Sequence, residues 1–420
     1  MKIVKTSCDF FREPLIKPFG FKGGYMTEIW RTAATAESAC GARAEGIGTQ
    51  SVLWSDAGVF AAHPESAGNA MMFLMTRKAL KFAEQTESDD PLGLLENILH
   101  DTREYGKIIT GNENLRKTFA LNSLVAPDSA AWALYKKING YKNFDEVLPK
   151  TYRTLLPHRH AKLANIPLIS YDVGLDEITG LAALGFFLFK IKIGSDPDKD
   201  GDVKKMLEWD KRRIAEIHAA LKNFKTPHTE SGRAAYYLDA NGRYPNKELL
   251  AELLVFMDET GALERTVLLE EPFPEENEDD VSDLPVRIAA DESAHSDEDA
   301  LRRIARGYGA IALKPVAKTL SMSLKILAAA CFRNVPCFCA DLTVGPFAAE
   351  WNKNVAARLA PLPGIKIGVM ESNGHQNYKN WEAMKARHPC AGAAWIDGSR
   401  GFFELDDEFY IQSGGIFSEI

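Results

Sequence analysis

The sequence predicts an α/β protein, a closed β/α barrel preceded by an α+β domain, and three observations carry that prediction. From about residue 165 onward, short apolar runs of strand character recur, and amphipathic helical stretches such as "NKELLAELLVFMDETG" and "SLKILAAACFRN" separate most of them. Apolar strands alternating with helices imply parallel βαβ units. Eight such runs are present, which suits a closed barrel better than an open sheet. Ahead of them the texture is mixed and mostly helical.

Residues 1 to about 60 contain "MTEIWRTAATAES", a strand-like run, and then "ACGARAEGIGTQ", which reads as a turn. Between about 65 and 155 the helical stretches are "AGNAMMFLMTRKALKFAEQ", "PLGLLENILHDTREYGKIIT" and "DSAAWALYKKING". The barrel pattern then opens with "NIPLISYDVG", the helix "DEITGLAALG", and a second strand, "FFLFKIKIG". The remaining strands are "AAYYLDANGRY", "ERTVLLEEPFP", "PVRIAADES", "GAIALKPVAK", "VPCFCADLTVGP" and "IKIGVMESNGH". The stretch from Ser195 to Arg233 is long for one crossover and reads as a helix plus an inserted polar loop. No internal repeat or low-complexity segment interrupts the pattern.

The bulk numbers narrow the function. With 420 residues, 45% hydrophobic, the chain can bury a large core and predicts two domains. A net charge of −8 with no long basic run argues against nucleic-acid and anionic-membrane partners, which need clustered Lys and Arg. No uninterrupted apolar stretch is long enough to span a bilayer, and the first residues lack the apolar core of a signal peptide. The six cysteines (8, 40, 331, 337, 339 and 390) are scattered, with no CxxC, which reads as reduced thiols in a cytoplasmic protein.

The second strand poses a puzzle. Lys190 and Lys192 sit one residue apart, so strand alternation puts both ammonium groups on one face and Phe189, Ile191 and Ile193 on the other. The other strand ends supply the context: Asp239 and Asn241 end the third strand, Glu270 and Glu271 the fourth, Asp291 and Glu292 the fifth, and Lys314 the sixth. In a β/α barrel these C-terminal strand ends converge on one mouth. Asp239, Glu270 and Asp291 would supply hard oxygen ligands for Mg²⁺, with Mn²⁺ as a substitute, leaving positions open for substrate oxygens. Lys192 and Lys314 would flank the ion from opposite sides. A carboxylate substrate bound there has its α-proton acidified, because the ion stabilises the enediolate formed on deprotonation. A like charge at Lys190 and the nearby cation would bring Lys192 toward the range of a working base. Taken singly, each signal has a plainer reading: a solvated strand face for Lys-x-Lys, a helix cap for a strand-terminal carboxylate. The specific feature is the ordered series, one element per strand.

That series resembles the enolase superfamily, in particular its muconate lactonizing enzyme subgroup (mandelate racemase/muconate lactonizing enzyme-like proteins). Carried over by motif, "KIK" gives Lys190 and Lys192, "LDAN" Asp239, "LEEP" Glu270, "ADES" Asp291 and "ALKP" Lys314. The resemblance implies a (β/α)7β TIM-like barrel over 161–395 and an α+β N-terminal capping domain over 1–160, completed by about 396–420. It also implies a homo-oligomer. The chain departs from the pattern in four places, the first being a first domain that looks longer than the usual cap. Lys192 and Asp239 are 47 positions apart, "EGIGTQ" stands where the family commonly has a Gly-Trp-Gly-Glu-like turn, and "GVMESNGHQ" lacks the Asp-x-Asp pair associated with dipeptide epimerases. Asp341 and Glu371, on the seventh and eighth strands, are substrate-contact or capping candidates, as is Asn241. In the cap, "PLIKPFGFKGGYMTE" reads as a glycine-rich mobile loop offering Phe19, Phe21, Lys22 and Tyr25, and "TQSVLWSDAGVF" as a second cap loop. His295 and His375 lie near the expected mouth with a structural or solvent-facing reading, and Lys314 stands where another branch of the family places a histidine.

Two lysines on opposite faces suit racemisation or epimerisation of a small-molecule carboxylate, and equally a cycloisomerase that uses one of them. A sugar-acid dehydratase of the same superfamily is an alternative, since either lysine could protonate a leaving hydroxyl. A non-catalytic metal- or ligand-binding barrel is the alternative from another class, and it leaves the two lysines without a purpose.

Overall fold

A computed structural model describes residues 1–21 and 24–419. The N-terminal sheet is an antiparallel meander of β1 (Ile3–Phe21), β2 (Gly24–Ser38) and β3 (Arg43–Gln50), in that order. From Trp30 to Ser38, buried and half-buried residues alternate along β2, as expected of a sheet with one covered face. Helices Glu65–Gln85, Pro91–Thr110 and Val125–Asn139 cover it, and Ala34, Ala36, Leu80, Leu94, Ala126 and Ala130 share one core.

Two expectations for this region change. The turn read over "ACGARAEGIGTQ" is confined to residues 39–42, and the rest is β3. Its glycines are packing residues: a Cβ on Gly46 would lie 2.2 Å from the Ala130 amide nitrogen, and one on Gly48 2.7 Å from that of Ala126. The bare backbone lets helix Val125–Asn139 settle directly on the sheet. The stretch expected to be a mobile loop is largely a ladder, in which Phe19 pairs with Met26, Gly20 with Tyr25 and Phe21 with Gly24. Within this stretch the register breaks between Pro14 and Phe19, a segment that includes Pro18 and its missing N–H. Lys22 lies outside the described residues.

The barrel strands are β4 (Lys162–Ile166), β5 (Leu168–Ile169), β6 (Leu188–Lys192), β7 (Ala235–Asp239), β8 (Thr266–Glu270), β9 (Ile288–Ala290), β10 (Ala310–Leu313), β11 (Cys337–Cys339) and β12 (Gly368–Glu371). They pair in parallel in chain order from β5 to β12, and β12 returns to β4. β4 and β5 are two halves of one strand split at Pro167, one half bonded to β12 and the other to β6, so the chain itself closes the barrel. The Pro167 carbonyl still accepts from the Lys190 amide at 3.1 Å. All eight expected strands are therefore present. Helices fill six of the seven crossovers, while 271–287, between β8 and β9, is irregular. The long crossover after β6 divides into a polar loop, helix Val203–Leu221, and a turn whose Thr229 bridges Ile365 at the far end of the barrel from the mouth.

After the barrel, β13 (Phe402–Glu404) adds antiparallel to β4. Beyond it, the Ser413 hydroxyl accepts from the Phe144 amide and Lys137 pairs with Glu419, so the C-terminal segment touches both sheets' surroundings. Among the described residues, no helix is long and apolar enough to cross a membrane.

The pleat now places the chemistry. Leu188, Tyr237, Leu268, Ala289, Ala312 and Phe338 belong to one buried cluster inside the barrel. Two residues further along their strands, on the same face, stand Lys190, Asp239, Glu270, Asp291 and Lys314. A charged layer rests on an apolar floor.

Candidate active site

The mouth is a cleft of about 450 Å³ whose walls include Lys190, Lys192, Asp239, Asn241, Glu270, Asp291, Glu292, Lys314, Asp341 and Glu371 from the barrel, and Phe19, Met26, Ser51 and Trp54 from the cap. The predicted strand-end residues thus converge. The puzzle of the adjacent lysines resolves through a shared carboxylate: Asp239 Oδ2 lies 3.0 Å from Lys190 Nζ and 2.5 Å from Lys192 Nζ. Lys190 also pairs with Glu270 at 3.1 Å and Glu371 at 3.0 Å, and lies over the Tyr237 ring. Burial opposes its charge, but these carboxylates outweigh burial and hold its pKa well above the ordinary value. Lys190 is therefore a fixed cation at the centre of the site.

The two flanking lysines differ in their partners. Lys192 donates to Asp239 and to Asn241 Oδ1, while Asn241 Nδ2 donates to Glu292 at 2.9 Å. Asn241, whose backbone has a positive φ of 44°, thus bridges Lys192 and Glu292 through its side-chain amide. Lys314 donates to Asp291 Oδ2. Burial works against its charge, yet Asp291, Glu292 and Glu270 raise its pKa. β6 and β10 are four strands apart in an eight-stranded barrel, so Lys192 and Lys314 approach the cleft from opposite sides.

The carboxylates are arranged for a cation. Glu270, Asp291 and Glu292 are buried and offer oxygens within 4.8 Å of one another. Burial, reinforced by Asp291 and Glu292, pushes Glu270 up to about 7 despite Lys190 and Lys314. Glu292 Oε2 is buried with no hydrogen-bond partner among the described residues. Hard oxygen donors with an unpaired buried oxygen among them fit a divalent ion such as Mg²⁺. Asp239, expected as the third ligand, lies beside this group rather than in it, linked through Lys190; burial would raise its pKa, but Lys190 and Lys192 hold it near 2.

Three residues that the sequence reading did not single out complete the site. Lys318, fully buried, donates to the Asp291 carbonyl at 2.6 Å, to Asp291 Oδ1 at 3.2 Å and to the Ala294 carbonyl at 3.0 Å. Its signal was the i, i+4 spacing from Lys314, which in sequence looks like an exposed helical lysine. Glu292 sat in "ADES" beside the chosen Asp291. Trp54, from helix Val52–Ser55 in the expected second cap loop, puts its ring 4.6 Å from Lys314 Nζ. Glu271, at the end of the fourth strand, accepts from the Asp291 and Ser293 amides and shapes their turn.

The remaining candidates divide. Phe19 lines the cleft. Tyr25 does not line it: 56% exposed, it stacks with Lys199 on the loop after β6. Phe21 lies at the end of β1, and Lys22 lies outside the described residues. Asp341 accepts from the Leu342, Val344 and Asn373 amides, and burial with the neighbouring Glu371 raises its pKa to about 7. It organises the β11 and β12 loops at the cleft wall. His295 hydrogen-bonds Glu275 at 3.0 Å, and His375 is half-buried against Trp381.

Comparison with known proteins agrees with this architecture. Residues 175–388, just over half the chain, match the family described as enolase C-terminal domain-like. No curated protein sequence matches the chain. Among solved structures, a mandelate racemase/muconate lactonizing protein from Herpetosiphon aurantiacus superposes with a TM-score of 0.64 at 16% identity, covering 97% of this chain and 96% of that one. A dipeptide epimerase from Enterococcus faecalis V583, complexed with Mg and the dipeptide L-Leu-L-Tyr, gives 0.64 at 17% identity over 97% and 98%. An N-succinyl Arg/Lys racemase from Bacillus cereus ATCC 14579 gives 0.63 at 15% over 90% and 89%. At these identities the likeness is one of fold.

Proposed function

The chain belongs to the enolase C-terminal domain-like family, with the fold of the mandelate racemase/muconate lactonizing proteins, and on that premise we propose that it is a divalent-metal-dependent isomerase that moves the proton α to a carboxylate, as a racemase or epimerase. The observation that carries the reading is the pair of lysines on opposite barrel strands, Lys192 and Lys314, facing one cleft lined by buried carboxylates. Inversion at a carbon needs a proton removed from one face and returned to the other, and two lysines across a cleft are suited to that exchange.

In this reading Glu270, Asp291 and Glu292, whose oxygens converge, would hold Mg²⁺, with Asp239 beside them anchoring Lys190 and Lys192. When bound, the ion supplies positive charge that acidifies the substrate's α-C–H bond. Lys190 adds a fixed positive charge on the same side, stabilising charge that develops on the substrate carboxylate. Lys192, oriented by Asp239 and Asn241, and Lys314, oriented by Asp291, exchange the proton at the α-carbon. Lys318 holds Asp291 in place from behind. Cap residues Phe19, Met26 and Trp54 close the cleft and exclude water.

The test is incubation with Mg²⁺ in D₂O alongside a panel of N-acyl amino acids, dipeptides and sugar acids, followed by NMR. Deuterium incorporation with inversion supports the reading. A 2-keto-3-deoxy product assigns the site to dehydration, and cyclisation or ring opening without inversion assigns it to cycloisomerisation. Failure of every member to exchange overturns the reading in favour of a binding barrel.

A further inference from the structure

Trp54 brings the cap to the lysine on the β10 side of the cleft. Trp54 is 5% exposed, lines the cleft, and sets its ring 4.6 Å from Lys314 Nζ. Its backbone is held from several directions. Asn122 Oδ1 accepts from the Ser51 amide at 2.8 Å and from the Ser55 hydroxyl at 3.2 Å. Thr118 donates to the Ser55 carbonyl at 2.7 Å, and Arg116 donates to the Trp54 carbonyl at 3.4 Å while pairing with Glu275 of the barrel. The indole N–H, although buried, has no hydrogen-bond partner among the described residues. A buried tryptophan that leaves its N–H unpaired gives up a stabilising bond; this one belongs to the buried core that cap and barrel share and turns its face to Lys314. A cation held against an aromatic face away from water is oriented as well as attracted.

We propose that Trp54 is a positioning residue for Lys314, holding that ammonium group dry and aimed at one face of the bound substrate. The proposal rests on the proton-transfer reading above and makes it face-selective. Lys192 works from the opposite side of the barrel, where its orientation depends on Asp239 and Asn241. Loss of the indole should therefore slow exchange of the enantiomer whose α-hydrogen faces Lys314, and leave the other face nearly intact. A merely structural role would slow both together.

The experiment uses the Mg²⁺-loaded full chain and the panel member that exchanges in D₂O. Lys192→Met and Lys314→Met first assign each enantiomer to its lysine. Trp54→Leu is then expected to slow exchange on the Lys314 face by about tenfold or more and on the Lys192 face by less than about threefold. Trp54→Phe, which keeps an aromatic face, should recover most of the rate. Equal loss on both faces, or no loss on either, overturns the proposal. Should the wild-type protein exchange nothing, the reaction reading fails, and acetic anhydride labelling read by peptide mass spectrometry decides the Trp54 contact separately. Labelling of Lys314 is expected to rise about tenfold in Trp54→Leu with Lys192 as internal reference, and unchanged labelling overturns the contact.

Discussion

Asp128 offers a test of which of two opposed effects governs a buried carboxylate. It lies in cap helix Val125–Asn139 and reaches the start of barrel helix Leu320–Cys331, accepting from the Leu320 amide at 2.9 Å, the Ser321 amide at 3.2 Å and the Ser321 hydroxyl at 2.5 Å. Three donors and a helix N-terminus favour the ionised form; complete burial disfavours it. Burial wins, raising the pKa from an ordinary 3.8 to about 7. Near pH 5 the folded protein then carries a proton at Asp128 that the unfolded chain has released, so stability must fall as pH rises. The contribution is present in full below pH 3.8 and gone above about 7; between pH 5 and 8 its loss amounts to about 3 kcal/mol. Asp128→Asn removes the titration and keeps the bonds, because its oxygen can serve the two amides and its nitrogen the Ser321 hydroxyl. Urea unfolding of both proteins at pH 5, 6, 7 and 8 isolates the effect of Asp128 as a difference. Wild type should lose stability relative to Asp128→Asn by about 3 kcal/mol across that range. A flat difference, or one that rises with pH, would refute the reasoning: the three donors would then be holding Asp128 ionised.

Other predictions follow from single contacts. Lys318→Met leaves Asp291 short of one counter-ion and takes from the buried Ala294 carbonyl its lysine donor, so the urea midpoint should fall by the equivalent of about 3–5 kcal/mol; a change below about 1 kcal/mol would mean that Lys314 alone sustains Asp291. Glu292→Gln should weaken Mg²⁺ binding by about tenfold or more in calorimetric titration, and unchanged affinity would exclude Glu292 from the ion's surroundings. Gly46→Ala places a methyl group against the backbone of helix Val125–Asn139, and thermal unfolding should report a loss of about 1–3 kcal/mol or more, whereas Gly41→Ala, in open space at a φ of +85°, tests backbone strain alone.

Where the sequence was misread, long-range contacts decided the outcome. Gly46 and Gly48 carry the signal of a turn, and only the helix lying on them shows why a strand lacks side chains there. The hairpin around Phe19 and Met26 looked like a loop because its glycines and prolines hide a ladder defined by the partner strand. Glu292 and Lys318 are unremarkable in one dimension, being one residue and four residues from chosen positions. Their roles arise from burial against Asn241 and Asp291, which come from other strands. The pairing of Lys190 with Lys192 reads from sequence as bare repulsion; the carboxylate that lies between them is 47 positions away along the chain from Lys192.

The sequence by itself determined the eight-strand alternation, the strand on which each charged group sits, and the side of the pleat it faces. These are local properties: period two fixes the face, and apolar runs bounded by turns fix the strands. Tertiary structure alone decided the closure of the barrel at Pro167, the convergence of Glu270, Asp291 and Glu292, and the arrival of Trp54 over Lys314. Each of these depends on distances between segments far apart in the chain, and those distances exist only once the core has packed.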